Sequence, residues 1–558
     1  MTNRFARQRI GATLALVLFG TGIAAHADDS WNRRDFQFFP DNLVVSRSVY
    51  DNKASNVQVG TILPVNCAST TGGCGGAAGA PFDGTYPYVW NNDLYDASFG
   101  ITARIYLDQI TPDGHLIDSL QVPNSLLPTA PEGELVTSFS SKSELALHLS
   151  QDHKYLTFMG YVAPVNAIDV SNSNTPAAVD PTNPVGQNFY RAVATVDRKG
   201  HFSFTETNAY SGNNGRAAIL INRHGADYFY TAGNAGNGAN PQPAGILLGA
   251  GAQFITPAHL PEIAQHPTAS TPLSSFNLTA LGLKADKLGK DDNFRGMTVH
   301  DNVVYFTKGS GSNGVNTVYF VDTTGTACPN GVGVPVAGAP LPSAPLAYNA
   351  STLLTDGLPT NMCILAGFPT TPAKTAKPLA YPFSLWFADA NTLYLADEGD
   401  GYAGGADLYT HAAGQTTAGL QKWVYNSTSK TWSLAYTLQT GLNLGQAYTV
   451  SGYPTSINAS TGLPWSPATD GLRNITGRVD HDGRVTIWAI TSTVSGNGDQ
   501  GADPNQLVAI RDTLKNTDAT VAAKEKFVTL RTAGFAEVLR GVSFTPDQDA
   551  DDRDHDHH

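Results

Sequence analysis

Residues 540–546, RGVSFTP, read as the first strand of a repeat with nothing after it, while 42–49 (NLVVSRSV), 103–110 (ARIYLDQI) and 115–122 (HLIDSLQV) read as second, third and fourth strands with no first. Complementary fragments at the two ends of a chain are what a ring of sheets produces when one C-terminal strand closes it against three N-terminal ones, leaving no long open edge. The sequence between the fragments bears this out as a repeat. Residues 146–150 (ALHLS), 155–162 (YLTFMGYV), 191–197 (RAVATVD) and 201–207 (HFSFTET) alternate apolar and polar positions as strands do.

Four further copies follow. The first has AAILIN (217–222), DYFYTAG (227–233), GILLGAG (245–251) and AQFITPA (252–258); the next has GMTVH (296–300), NVVYFTKG (302–309), NTVYFVD (316–322) and MCILAGF (362–368). After them come FSLWFAD (383–389), TLYLAD (392–397), LQKWVYN (420–426) and WSLAYTLQ (432–439), then ITGRVD (475–480), VTIWAITS (485–492), QLVAIRD (506–512) and KFVTLRT (526–532). The expected fold is all-β: a six-bladed β-propeller of four-stranded antiparallel blades, closed by one C-terminal plus three N-terminal strands.

Composition agrees with many short strands and turns, for the 558 residues include 55 Gly and 33 Pro and only 15 % charged residues. Residues 1–27 read as a signal peptide, with Arg4, Arg7 and Arg9 before an apolar stretch and Ala25-His26-Ala27 as the cleavage site. The apolar stretch is too broken by Gly and Thr for a membrane anchor. Residues 28–546 are then expected as a single propeller domain, and 547–558 as a disordered tail with six Asp and three His. That tail would hold divalent ions only loosely.

The net charge is -13, and removing three Arg with no acid gives -13 - 3 = -16 for the exported form, which argues against nucleic acid or an anionic membrane as partner. A soluble monomer, periplasmic or extracellular, is expected, without membrane insertion. Four cysteines lie in two local pairs, Cys67 with Cys74 and Cys328 with Cys363, and in an exported chain they read as disulfides.

Connections from first to second and from third to fourth strands are short, whereas 51–100, 163–188, 257–292, 397–418 and 441–471 are long and belong to the opposite face. Long loops gathered on one face of a rigid scaffold are where binding resides. The exception, 324–360, should hang from the other face.

An arginine stands at the entrance of four innermost strands: Arg216, Arg295, Arg473 and Arg540. Converging guanidinium groups would bind an anionic ligand bidentately; the competing reading pairs each with a carboxylate of a neighbouring blade. Asp397, Glu398 and Asp400, in LADEGDGYAGGAD with Asp407, offer oxygen ligands and glycine freedom for Ca²⁺, without EF-hand spacing; a solvated acidic turn explains them equally. Tyr86, Tyr88, Trp90 and Tyr95 beside Asp83, Asp93 and Asp96 suit either sugar stacking or a loop mini-core. His115, His148, His153, His201, His300 and His481 lack ligand spacing.

No G-x-S-x-G, H-E-x-x-H, P-loop or C-x-x-C-H motif occurs, so no catalytic residue is assigned. The expected function is an exported recognition module for an anionic or carbohydrate-like ligand. The alternatives are a secreted hydrolase or lyase acting on a polysaccharide or ester at the same face, or a structural or adhesive envelope protein.

The pieces NLVVSR, ARIYLDQITPDGHLIDSLQVP, LSQDHKYLTFMGY, RAVATVDRKG, GLQKWVYN and RGVSFTP resemble a group of uncharacterised bacterial secreted β-propeller proteins, some of which end in a PEP-CTERM sorting signal. The resemblance spans nearly all of the mature chain and implies export and fold, not a reaction. The acidic histidine tail stands where the anchored members carry their Pro-Glu-Pro motif, apolar helix and basic end.

Overall fold

A computed structural model describes residues 36–547 except 52, 54–58, 60–100, 124–134, 139–142, 167–189, 211–212, 223–226, 237–246, 261–266, 287–288, 403, 458–461 and 497–502. Residues 1–27, expected as a signal peptide, the tail after Asp547, Cys67, Cys74 and the aromatic group from Asp83 to Asp96 lie outside the described residues.

Four small antiparallel sheets are each a meander in chain order. They comprise β9 (Gly215–Ile221), β10 (Tyr228–Gly233), β11 (Ala252–Ile255) and β12 (Thr271–Ser274); β13 (Gly296–His300), β14 (Val303–Lys308), β15 (Thr317–Val321) and β17 (Met362–Leu365), with β16 (Val332–Gly333) added parallel to β17; β18 (Pro382–Asp389), β19 (Thr392–Asp397), β20 (Gly419–Asn426) and β21 (Thr431–Leu438); and β22 (Ala468–Val479), β23 (Arg484–Val494), β24 (Gln506–Thr513) and β25 (Val528–Thr532). Helix among the described residues is confined to single turns and the six-residue Leu408–Ala413. A ring of small antiparallel sheets is a β-propeller arrangement.

The remaining nine strands form one sheet, so the expectation of six separate four-stranded sheets is corrected to four separate ones plus this larger one. It contains β1 (Leu43–Val49), β2 (Thr102–Ile110), β3 (Leu116–Gln121), β4 (Leu135–Ser138), β5 (His148–Leu149), β6 (Tyr155–Val162), β7 (Arg191–Asp197), β8 (Phe202–Thr207) and β26 (Glu537–Phe544), in the order β26-β1-β2-β4-β6-β7-β8 with β3 on β2 and β5 on β6. The sheet arises because β4 pairs with both β2 and β6 and so joins two groups, β26-β1-β2-β3 and β5-β6-β7-β8. Closure is as read from the sequence: β26 pairs antiparallel with β1 from Leu43↔Phe544 to Val49↔Glu537.

One strand assignment is corrected. The described part of GILLGAG, 247–251, is not a strand: Gly249 takes φ 76, and a Cβ on Gly251 would stand 1.6 Å from the Asp292 carbonyl oxygen, so the run turns before β11. The third strand is β11 and the fourth is Thr271–Ser274, a four-residue edge strand that tolerates Pro272 because its amide has no ladder partner to lose.

Cys328 and Cys363 form a disulfide with Cα atoms 5.9 Å apart. The segment they tie packs on the neighbouring sheet, with Leu346 N donating to Pro272 O at 2.7 Å and Asn361 N to Ser275 O at 3.2 Å. Between sheets the faces bury a continuous aromatic and aliphatic core in which Ile219, Tyr230, Phe306, Tyr319, Leu385 and Trp423 are members. Each such side chain contributes about 1.5–3 kcal/mol.

Strands on the inner side bond from one group to the next at several junctions. Ala146 N donates to Arg216 O (3.3 Å), Thr307 Oγ1 to Phe383 O (2.6 Å), Ile475 N to Ser384 Oγ (3.4 Å), Asn474 Nδ2 to Arg540 O (2.7 Å) and Ser46 Oγ to Leu145 O (2.8 Å). Crowding there explains the glycine after Arg295 and after Arg540: a Cβ on Gly296 would lie 2.4 Å from Phe383 O, and one on Gly541 2.4 Å from Leu145 O.

His148 belongs to this inner layer, its Nε2 3.0 Å from Met297 O. Burial pushes its pKa down from 6.5 to about 4, against the opposing pull of that carbonyl. A depressed folded pKa gives stability that is full above the unfolded value of 6.5 and is lost as pH falls through about 4. Up to about 3 kcal/mol should disappear across that window. His148→Gln, which keeps an amide donor for Met297 O, is expected to flatten this loss, read as the urea midpoint against pH; an unchanged slope would rule His148 out as the cause.

Candidate functional site

The four sequence-assigned arginines are all buried, Arg216, Arg295, Arg473 and Arg540 being 1, 8, 4 and 2 % exposed. A buried charge needs partners, and these are shared. Glu398 bridges two of them, with Oε1 3.4 Å from Arg295 Nε and Oε2 3.5 Å from Arg473 Nε. Ser143 Oγ bridges another pair, accepting from Arg216 Nε at 2.7 Å and Arg295 Nη1 at 3.3 Å. Arg216 also donates to Asn293 Oδ1 (2.6 Å) and Phe294 O; Arg540 donates to Ser48 Oγ (3.1 Å) and Tyr50 Oη (3.3 Å).

Two residues complete the pattern at the other strand entrances. Glu144 precedes β5 where the other first strands have arginine, and Phe383 stands there in β18, beneath the Arg473 guanidinium at 6.0 Å. The sheet of Phe383 supplies Glu398 from the end of β19 instead, which places a carboxylate between the arginines of the sheets on either side. Glu144 Oε1 pairs with Arg191 Nη1 at 2.6 Å, both side chains fully buried, and Arg191 lies 3.9 Å over the Tyr161 ring.

Glu144 thus holds Arg191, and Glu398 holds Arg295 and Arg473. Burial pushes the pKa of Arg216 well below 12.5, with the Arg295 charge acting in the same sense and Glu398 and Glu144 against it. Lys308, buried beside Ser310 O (2.8 Å) and Asn316 Oδ1 (3.1 Å), is brought down to about 7, first by burial and then by Arg295. Burial also raises Asp291, to about 6, and Asp292, which accepts from Phe276 N at 3.0 Å and Ser275 Oγ at 2.8 Å.

The three carboxylates assigned to calcium face different partners. Asp397 accepts from Tyr381 N (2.9 Å), Gly399 N (3.0 Å) and Gln421 Nε2 (3.2 Å), with burial raising its pKa to about 6; Glu398 serves the arginines; Asp400 faces His411 and Lys377. A dry, raised-pKa carboxyl saturated by N–H donors is poorly suited to a cation. Among the described residues, the one cluster of His, Cys, Asp or Glu close enough for a metal is Asp322 with Cys328 and Cys363, whose thiols are spent in the disulfide.

Sequence reading missed Ser143, Glu144, Arg191 and Lys308. Arg191 was findable, for it opens RAVATVD immediately after a long loop on the arginine face; Ser143 and Glu144 carried no signal beyond occupying a strand entrance without arginine.

No family model and no curated protein matches the chain. Among solved structures, similarity extends to a Synechocystis apocarotenoid oxygenase mutant (8 % identity, 84 % of this chain and 78 % of that one, TM-score 0.28) and to a polysaccharide lyase, an ulvan lyase (11 %, 93 % and 99 %, TM-score 0.26). It extends also to the extracellular domains 1-2 of Drosophila Semaphorin 1a (10 %, 74 % and 83 %, TM-score 0.25). Likeness of this degree carries no argument about function, and the class rests on the chain's own sheets: a β-propeller arrangement.

Proposed function

We propose that the chain is an exported recognition propeller that binds an anionic ligand, a carboxylate- or sulfate-bearing glycan or small molecule, through Arg216, Arg295, Arg473 and Arg540. The observation that carries this is the convergence of buried guanidinium groups, Arg295 and Arg473 on Glu398 and Arg216 and Arg295 on Ser143, in a protein of net charge -13. An anionic group entering beside Ser143 would meet donors already fixed by packing, so little order remains to be imposed on binding.

The same reading takes the nine-stranded sheet as two blades, β26-β1-β2-β3 and β5-β6-β7-β8, linked by β4, which makes six blades in all. The bonds between inner strands of successive groups and the six strand-entrance positions, Glu144, Arg216, Arg295, Phe383, Arg473 and Arg540, support that count. The Cys328–Cys363 disulfide supports an oxidising, exported setting, periplasmic or extracellular, as the family resemblance does.

The test is thermal stability of the purified protein against uronic acids, sulfate, phosphate and neutral sugars, because a ligand selective for the folded state raises the melting point. An anion at a hundredfold excess over its Kd should add about 2.7 kcal/mol, and the Arg295→Ala, Arg473→Ala double variant should lose the effect. No response to any anion, or a response that the double variant keeps, would sink the reading.

A further inference from the structure

A cleft of about 400 Å³ opens between residues 377–381, which lead into β18, and 410–417, the end of helix Leu408–Ala413 with the turn after it. None of the entrance arginines lines it. Its polar centre is an imidazole held by a carboxylate: His411 Nε2 lies 2.8 Å from Asp400 Oδ2. Asp400 is fixed in turn, its Oδ1 accepting from Tyr402 N at 3.1 Å and its own N donating to Gln415 Oε1 at 2.8 Å. The Tyr402 ring stacks on the imidazole at 4.1 Å and is anchored by its hydroxyl to Asp407 Oδ1 at 2.8 Å.

A carboxylate that accepts from one ring N–H keeps the proton on that nitrogen and leaves the lone pair on the other, which is how a histidine is prepared as a base. Here the other nitrogen is Nδ1, and the side chain is 29 % exposed on the cleft wall. Lys377, 71 % exposed, holds a positive charge at the rim 3.1 Å from Asp400 Oδ2, and Leu379, 70 % exposed, gives the same rim an apolar surface. Lysine and aspartate cancel, so the cleft suits a neutral ligand with an apolar part, unlike the arginine cluster.

We propose that this cleft hydrolyses small neutral esters, with His411 as general base, Asp400 as its positioning residue and Lys377 as the group facing the developing oxyanion. His411 Nδ1 takes a proton from water as the water oxygen bonds to the acyl carbon, and the carbonyl π electrons move onto the oxygen near Lys377. The tetrahedral adduct then collapses, the ester C–O bond breaks, and the proton on Nδ1 passes to the leaving alkoxide. Products are an acid and an alcohol, with nothing oxidised or reduced.

The probe is p-nitrophenyl acetate with the intact exported protein, an assay that no anion binding enters, so its failure is separate from failure of the recognition reading. Saturable release of nitrophenol is expected. His411→Gln should lower kcat by about 10²–10³-fold. Asp400→Asn should lower kcat more than it changes KM and shift the pH profile, and the surface variant Lys377→Met should cost about tenfold. His115→Gln, on the exposed β2–β3 turn, should leave the rate unchanged. A His411→Gln rate equal to that of the parent, or turnover no faster than free imidazole at equal concentration, overturns the proposal; an unshifted profile in Asp400→Asn removes Asp400 from it.

Discussion

Glu398→Gln is expected to destabilise the protein by about 3–5 kcal/mol, because it removes one partner of a buried ion network and leaves charge behind. The substitution keeps the volume and most of the contacts, so no cavity enters the result. What changes is electrostatic: Arg295 and Arg473, now 3.4 and 3.5 Å from a shared carboxylate, would face a neutral amide in a site where Arg216 is already strained by its neighbour's charge. The measurement is the urea midpoint at fixed pH, with and without sulfate. Sulfate should restore part of the loss and stabilise the variant more than the parent, since the variant offers the anion two arginines with no internal competitor. A variant as stable as the parent would mean that the arginine charges are already met elsewhere, and the case for an anion ligand would fall with that result.

That network shows which parts of the site could be read from the sequence. The arginines were legible because each is locally defined, near the start of a strand segment that repeats. Their partners were not, since Glu398 lies at the end of a different strand, within an acidic glycine-rich run whose composition is equally that of a cation loop. Only the fold shows that Asp397, Glu398 and Asp400, adjacent in sequence, serve a backbone turn, the arginines and a histidine in turn. Strand order was legible for a related reason. A blade is a local meander, so period-two alternation and turn residues fix it without long-range information. The reading failed at 247–251, where apolar composition imitates a strand but two glycines and the close passage of Asp292 force a turn, and at Thr271–Ser274, too short and proline-containing to be seen. It also could not anticipate β4, four residues beside a stretch outside the described residues, whose pairing with both β2 and β6 merges two groups into one sheet.

Truncation after Gly534 is expected to abolish cooperative unfolding altogether. It removes β26 and with it Val538, Leu539 and Val542, each at most 2 % exposed, at about 1.5–3 kcal/mol apiece, or roughly 4.5–9 kcal/mol. The net stability of a folded protein is only about 5–15 kcal/mol, so the loss is comparable with the whole. The cut also uncovers β1 along its length and strips Arg47 of Glu537, 2.6 Å away, while Asp108 at 2.7 Å remains. An unpaired inner edge invites association with a second chain, so the truncated protein should elute as oligomers and give a broad, probe-dependent transition by fluorescence and circular dichroism. A milder version separates closure from bulk burial: Gly541→Ala adds one methyl, yet its Cβ would stand 2.4 Å from Leu145 O and 2.7 Å from Leu147 N, backbone atoms that cannot swing aside. It should cost about 1–3 kcal/mol without changing the oligomeric state, because β26 still pairs with β1. If the truncated chain unfolded in one sharp step as a monomer, the terminal strand would be an ornament on a sheet that closes without it, and the pairing of the two chain ends would not be what holds the ring.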